Sequence, residues 1–219
     1  MKPRMNEQAN WDLLFKEYRR IIKDRHFILF LRNFRFSHPK DHKILDVGCG
    51  DGGMMAFLIR SGYTCVQGLE PAFNLYNPSP YKHQIINESI LDISKIRETY
   101  DVITLKGVLH HLKNVEEYKT ALLNISNLLN VNGKVYCLEP WPTWFRPLAT
   151  FALKSPLRYI SQETIVLNRI HREEEKDINT WLKNCEETIS FFKSLFVVEY
   201  ESTDSIYKYI CGKKISHRQ

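Results

Sequence analysis

The chain has 219 residues, of which 43% are hydrophobic, and a domain of this size can bury a core without disulfides. Its five cysteines are odd in number and include no Cys-x-x-Cys pair, which favours a reducing compartment and predicts no metal site. The longest apolar run, residues 27–31, is far shorter than the roughly 20 residues of a membrane helix, and no signal peptide is evident. These features argue against a disulfide scaffold and a membrane span, and they predict a cytoplasmic protein.

The first 43 residues carry the whole net charge of +6, with eleven Lys or Arg against five Asp or Glu. An apolar face recurs there at helical spacing, formed by Trp11, Leu14, Phe15, Tyr18 and Ile22. We predict a helical cap over residues 1–43 that packs on the domain that follows. The basic side chains beside this face leave binding to nucleic acid or an anionic membrane open, although no RNA-binding module is recognisable.

Residues 44–53 form a short apolar strand that continues into a glycine-rich turn. Glycine permits a sharp turn and lets a ligand approach the backbone closely. The spacing of Gly48, Gly50 and Gly53, with Glu70 further along, also fits a dinucleotide-binding fold. Asp46 separates the two interpretations, because its carboxylate would repel a pyrophosphate and attract the sulfonium and ammonium of S-adenosylmethionine (SAM).

A second acidic residue, Glu70, ends the next predicted strand, residues 66–71, which follows a predicted helix over residues 54–60. A carboxylate at a strand end can accept hydrogen bonds from two adjacent hydroxyls, as in the binding of a ribose. We predict this role for Glu70, and the alternative is an exposed loop acid.

The ordered set Asp46-x-Gly48-x-Gly50-x-Gly52, followed by Glu70, resembles the signature of class I SAM-dependent methyltransferases, in particular the group acting on small molecules and quinone-type acceptors. The resemblance implies a SAM-binding α/β core over residues 44–140. The cofactor-binding residues assigned on this basis are Asp46, Gly48, Cys49, Gly50, Gly52, Glu70, Pro71, Glu88, Ser89, Ile90, Leu105, Lys106, His111 and Tyr18.

Several of these assignments depend on where the family places parts of the cofactor. The segment 84–92, predicted as a strand, resembles the one that brackets the adenine, with Ser89 and Ile90 as neighbours and Glu88 or Asp92 in a polar or helix-capping role. The main chain around Leu105 and Lys106 resembles the part that faces the methionine moiety. Tyr18 resembles a lid residue over that moiety, or it belongs to a helix that simply packs.

Three residues are candidates for catalysis. His110 and His111 follow the predicted fourth strand and have rings that titrate near neutral pH, so either could act as a general base. The alternative is that one histidine caps the next helix and the other is packed. Glu139 ends the fifth predicted strand, and it contacts either the acceptor or a structural partner.

Strands that alternate with helices and then a late apolar pair predict a doubly wound, Rossmann-like sheet of seven strands. The late pair, residues 195–201 and 205–211, is predicted to form an antiparallel hairpin within residues 193–219. Residues 141–192 are predicted to be a helical lid over the acceptor, rich in aromatic side chains. Arg146, Arg158 or Arg169 is available there for an acidic group, or the aromatic residues form the lid's own core.

The resemblance implies methyl transfer from SAM to an O, N or C atom of a small, partly hydrophobic or aromatic acceptor, with S-adenosylhomocysteine (SAH) as the product. Two alternatives stay open: an RNA or protein methyltransferase that uses the basic N-terminus, and a non-catalytic, regulatory SAM-binding member of the fold. We expect a monomer or a homodimer.

Overall fold

The structure is a computed structural model that describes residues 24–155 and 162–215. The whole predicted N-terminal apolar face, including Tyr18, lies outside the described residues, as does Arg158. In the described part, no helix combines the length and the apolar character of a membrane span. The cytoplasmic location and the monomeric or homodimeric state stay predictions.

One mixed sheet organises the described residues. Its strands are β1 (Lys43–Val47), β2 (Cys65–Leu69), β3 (Ile85–Ile86), β4 (Tyr100–Lys106), β5 (Leu129–Pro140), β6 (Phe196–Thr203) and β7 (Tyr207–Lys214). They lie in the order β3-β2-β1-β4-β5-β7-β6. Neighbours among β1 to β5 are parallel, whereas β7 runs antiparallel to both β5 and β6. This arrangement confirms the predicted doubly wound sheet with a closing hairpin.

Helices connect the strands. They are α1 (Arg25–Asn33), α2 (Gly53–Arg60), α3 (Phe73–Tyr76), α4 (Val115–Leu128), α5 (Arg146–Lys154) and α6 (Gln162–Leu195), with short 3-10 helices at Lys82–Gln84 and Leu109–His111. The cap of α4 is Asn114, whose side chain accepts a hydrogen bond from the Glu117 amide at 3.0 Å. A histidine therefore does not cap this helix, contrary to one of the predicted alternatives.

The strand pleat sorts side chains onto two cores, because successive residues of a strand point to opposite faces. Leu45, Ile103 and Val135 pack on the face covered by α4 and α6. Ile44 and Val102 pack on the other face, with α1 and α2. By the same alternation, Glu139 lies on the α6 face of the sheet, and Asp46 lies on the α2 face.

Helix α6 differs from the predicted lid. Its 34 residues begin inside the segment 141–192, but Trp181, Cys185 and Phe192 are fully buried against the sheet. The Trp181 indole donates to the Pro140 carbonyl at 2.6 Å and meets the Tyr118 ring edge-on. The C-terminal half of this segment is thus core, and only its first part can cover a ligand.

Two strand boundaries were wrong in the sequence analysis. β3 has two residues and not nine, because the chain leaves the sheet after Ile86 and forms turns through Ser89 and Asp92. The closing hairpin turns at residues 204–206 and not 202–204. The Asp204 carboxylate accepts from the amides of Ile206 and Tyr207 at 2.9 and 2.8 Å and so closes the turn there.

We expect Trp181→Ala to lower the free energy of unfolding by about 3–5 kcal/mol, because it leaves a large cavity between α6 and the sheet. The matched control is Trp144→Ala, since the Trp144 side chain is 88% exposed and its loss should cost less than about 0.5 kcal/mol. Urea unfolding followed by circular dichroism measures both, and equal midpoints for the two variants would contradict this packing.

Candidate functional site

A glycine turn joins β1 to α2 at the carboxyl edge of the sheet. Gly48, Gly50 and Gly52 all have positive φ, at 64°, 55° and 81°. A Cβ at Gly48 would lie 2.7 Å from a methyl of Val108, so this glycine lets the turn after β4 come close. A Cβ at Gly50 would meet nothing within 4 Å. The backbone at Gly50 therefore borders open space that a ligand can occupy.

The Glu70 carboxylate holds this turn from the end of β2. It accepts hydrogen bonds from the Gly50 amide at 3.0 Å and from the Ala72 amide at 2.9 Å. Burial raises the pKa of Glu70, while these two bonds and nearby His111 act in the opposite direction. A carboxylate has about four lone-pair sites, so two amide bonds leave sites for ribose hydroxyls. The arrangement fits the predicted role.

Asn87 was missed in the sequence analysis. Its side-chain amide donates to the carbonyls of Glu70 and Pro71 at 3.1 and 3.0 Å, which fixes the backbone that presents Glu70. A polar residue just after a short apolar strand was the available signal. Pro71 is exposed beside it.

Asp46 is buried at the end of β1, with 4% of its surface exposed. It accepts a hydrogen bond from the Thr104 hydroxyl at 2.8 Å, and these two residues are register partners in neighbouring strands. Thr104 was also missed, because only the strand pairing brings it to Asp46. The carboxylate is thereby held next to the glycine turn.

The remaining predicted cofactor residues differ in which of their atoms, side chain or main chain, a ligand could reach. The Cys49 thiol is buried and lies so near Gly68 that a Cβ there would be 2.5 Å from its sulfur, and the Leu105 side chain is fully buried. Both can offer a ligand their main chain only. Lys106 ends β4 on the α1 side, where its charge lowers the pKa of His26.

The predicted adenine segment is held by local contacts. The Ser89 hydroxyl accepts from the Leu91 amide at 3.2 Å, and Glu88 forms an ion pair with Lys95. Ile90 is buried, and its carbonyl accepts from Asn124 at 2.7 Å. These contacts shape the segment, and its adenine role stays a prediction.

Glu139 clamps the turn that follows β4. Its carboxylate accepts from the amides of Val108 and Leu109 at 2.7 and 2.8 Å, and it pairs with Nδ1 of His110 at 2.8 Å. Only 2% of its surface is exposed. Glu139 therefore matches the structural alternative stated above. It positions the turn after β4 and does not act as a catalytic residue.

Helix α6 brings two further carboxylates to the histidines. Glu174 lies 3.8 Å from Nε2 of His110 and 3.6 Å from Nε2 of His111, and Asp177 lies 3.7 Å from Nδ1 of His111. Burial disfavours a charge on His110, but Glu139 and Glu174 outweigh this effect and raise its pKa to about 9. The sequence analysis missed Glu174 and Asp177, because a run of acids at the start of a helical stretch is typical of a solvated surface.

We use the term His–carboxylate cluster for His110, His111, Glu139, Glu174 and Asp177. The two histidines differ in access, since the side chain of His110 is 5% exposed and that of His111 is 40% exposed. His111 also lies close enough to lower the pKa of Glu70. The cluster therefore lies at the same edge as the glycine turn, with His111 on its open side.

A pocket of about 520 Å³ opens between the start of α5 and the middle of α6. Its lining includes Thr143, Phe151, His171, Glu175 and Ile178. The last three occupy the same turns of α6 as Glu174 and Asp177, although no member of the cluster lines the pocket. A volume of this size accepts a small molecule.

Arg146 also lines the pocket, but its guanidinium is held by the protein. Nε donates to the Trp141 carbonyl at 2.8 Å, and Nη2 donates to the Ile206 carbonyl. These bonds use two of the five N–H donors of the guanidinium, and a contact of Arg146 with an acidic group of the acceptor stays a prediction. Arg169 is exposed on α6, and a contact of Arg169 with an acceptor stays a prediction.

Comparisons with known proteins agree with this geometry. A family model described as a methyltransferase domain matches residues 15–195. The (S)-tetrahydroprotoberberine N-methyltransferase of Eschscholzia californica is 23% identical over 175 residues, which cover 67% of this chain and 49% of that protein. The chain thus spans about half the length of this curated relative.

Solved structures share the fold at low sequence identity. A TehB-like SAM-dependent methyltransferase from Corynebacterium glutamicum superposes with a TM-score of 0.66 at 15% identity, covering 97% of this chain and 100% of that one. The N-methyltransferase NodS from Bradyrhizobium japonicum, in complex with SAH, gives a TM-score of 0.54 at 14% identity and covers 89% and 88%. Together with the glycine turn and Glu70, these matches place the chain in the methyltransferase-domain family, among the class I SAM-dependent methyltransferases.

We expect Glu139→Gln to lower the free energy of unfolding by about 3–5 kcal/mol, because it leaves His110 and the turn amides without the buried charge that pairs with them. The control is Glu98→Gln. Glu98 pairs with Lys43 at 2.9 Å, but both side chains are half exposed, so the cost should be within about 0.5 kcal/mol. Chemical denaturation measures the free energy of unfolding of both variants. A Glu139→Gln variant as stable as the control would contradict the role of Glu139 in holding the turn.

Proposed function

We propose that this chain transfers the methyl group of SAM to a nitrogen atom of a small acceptor that binds in the pocket between α5 and α6. The single observation that carries the proposal is the position of this pocket on α6, the helix that also brings Glu174 to the histidines after β4. These histidines and the glycine turn both follow strands at the carboxyl edge of the sheet, where ligands bind in open α/β folds.

Residues of the turn and of β2 would hold the cofactor. Gly50 leaves the space, Glu70 offers acceptor sites for the ribose hydroxyls, and buried Asp46 adds the negative charge that favours a cationic ligand. When bound, SAM supplies a methyl carbon activated by its sulfonium, so the protein needs mainly to align the nucleophile and exclude water.

Nitrogen is favoured over oxygen or carbon by the charge around the pocket. Glu175 lines it, Glu174 and Asp177 lie within the same two turns of α6, and carboxylates attract an amine that arrives protonated. The curated relative and NodS are both named N-methyltransferases. The apolar part of the lining, with Phe151 and Ile178, suits an acceptor with a hydrophobic body.

An amine that arrives protonated must also lose that proton before its nitrogen can attack the methyl carbon. Two members of the cluster are open to an acceptor, namely His111 at 40% and Asp177 at 48% side-chain exposure. They are the groups that would take this proton, with His110 and Glu139 holding the turn in place. The predicted RNA and protein methyltransferase alternatives rest on the basic N-terminal segment, of which residues 1–23 lie outside the described part. They and the regulatory alternative stay predictions.

Isothermal titration with SAH tests the cofactor half of the proposal. We expect Gly50→Ala to weaken SAH binding at least about tenfold, because the new methyl enters the ligand space, and to cost about 1–2 kcal/mol of stability for an alanine at positive φ. Gly62→Ala is the matched control, since Gly62 also has a positive φ of 91° but lies in a remote turn, where only Lys40 is within 4 Å. The control should lose stability and keep its SAH affinity. Wild-type protein that binds no SAH would overturn the proposal.

A second variant tests the acceptor half. Asn179 is exposed at the pocket, so Asn179→Trp should fill part of it and lower kcat/KM for the best substrate from a panel of amines, phenols and activated carbon acids by at least about tenfold. SAH affinity should not change. Lys176→Trp, at an exposed position of the same helix outside the pocket lining, is the control. Transfer to phenols with amines inert would contradict the choice of nitrogen.

A further inference from the structure

Each ring of the His–carboxylate cluster lies between two carboxylates. Each ring directs Nε2 toward Glu174, at 3.8 Å for His110 and 3.6 Å for His111. Each directs Nδ1 toward a different carboxylate, which is Glu139 for His110 at 2.8 Å and Asp177 for His111 at 3.7 Å. Glu174 uses one oxygen for each ring and therefore lies between them.

Nε2 of His110 is buried and has no hydrogen-bond partner. The His110 side chain is 5% exposed, and 3.8 Å to the Glu174 oxygen is too long for a hydrogen bond. Buried polar atoms almost always have a partner. This nitrogen points to the same place as Nε2 of His111 and the Glu174 carboxylate, so a shared partner between the three would satisfy it.

The distances fit a metal ion as that partner. One ligand atom from each of His110, His111 and Glu174 lies within 4.8 Å of the others. Around a tetrahedral ion with bonds of about 2.1 Å, ligand atoms are about 3.4 Å apart. The measured 3.6 and 3.8 Å run from the two different oxygens of Glu174, one to each Nε2, so one shared oxygen requires the carboxylate to rotate toward both rings.

The outer carboxylates and the charge also fit. Histidines that bind metals commonly donate their other ring N–H to a carboxylate, as His110 can do to Glu139. Three carboxylates surround two rings here, so the cluster keeps an excess of negative charge even when His110 is protonated, and a divalent cation would reduce it. Two imidazoles and one carboxylate suit zinc and related divalent ions.

We propose that His110, His111 and Glu174 form a binding site for one divalent cation of the zinc type, with Glu139 and Asp177 orienting the rings. A fourth coordination position lies on the exposed side of His111 and faces the ligand edge. The expectation of no metal was based on cysteine spacing, whereas these ligands come from a turn after β4 and from α6. In the metal-bound protein Nε2 of His111 is occupied, so Asp177 takes over the proton role in the proposed function.

Zinc titration of the full-length protein tests the site. The protein is dialysed against a chelator and then against metal-free buffer, and Zn²⁺ binding is measured by calorimetry, with Co²⁺ absorption as a second readout. We expect one equivalent per chain. Glu174→Gln and His111→Ala should each bind at least about tenfold more weakly, and Asp177→Asn about 10- to 100-fold more weakly.

Glu173→Gln is the matched control for Glu174, because Glu173 is the exposed neighbour on the same helix, and His83→Ala is the control for an exposed histidine. Both should bind as the wild type does. Thermal unfolding without metal shows whether each variant is folded. SAH titration of the same metal-free samples separates this proposal from the proposed function, since Gly50 and Glu70, on which SAH binding rests there, are not metal ligands.

Two outcomes would overturn the site. One is wild-type protein that takes up no stoichiometric Zn²⁺ or Co²⁺. The other is Glu174→Gln with the same affinity as Glu173→Gln. Either outcome would mean that protonated histidines, and not a cation, balance the three carboxylates.

Discussion

The carboxyl edge of the sheet carries backbone amides that the strands leave unpaired, and buried amides must find hydrogen-bond partners. In this protein carboxylates supply many of them. Glu70 binds the amides of Gly50 and Ala72, and Glu139 binds those of Val108 and Leu109. Because these acids end β2 and β5, each ties one loop of the edge to a neighbouring strand. The shape of the ligand site depends on these bonds.

The Glu139 clamp has the widest consequences. It sets the turn after β4, which brings Val108 against Gly48 on one side and directs His110 and His111 toward α6 on the other. The proposed cofactor space and the His–carboxylate cluster thus meet at a single turn. Trp181 donates to the carbonyl of Pro140, the residue after Glu139, so the packing of α6 supports the same point.

How much was predictable varies with the range of the contact. The glycine turn, Glu70 and the succession of strands and helices along the chain follow from local patterns, namely an apolar run, turn residues and an acid at a strand end. Residues such as Thr104 and Glu174 were missed because their roles come from strand register and helix packing. No spacing along the chain indicates that an acid in the run 173–175 faces two histidines.

Glu139 shows the same limit of local patterns for a residue that the sequence analysis did identify. Its position at the end of a strand left two roles open, and only the burial of its carboxylate and the three donors around it decide for the structural one. The predicted lid, residues 141–192, also left two roles open, because an amphipathic stretch of this length can cover a ligand or a sheet. The burial of Trp181 and Phe192 assigns its second half to the core.

By itself, the sequence determined the fold class and the family and predicted the part of the chain that would hold the cofactor, since hydrophobic period and glycine spacing act over a few residues. The tertiary structure alone decided which acids are structural, which histidine is open, and that two carboxylates of α6 join the histidines after β4. The physical reason is that charge and burial depend on distance in space, and packing brings together side chains that the chain order keeps far apart.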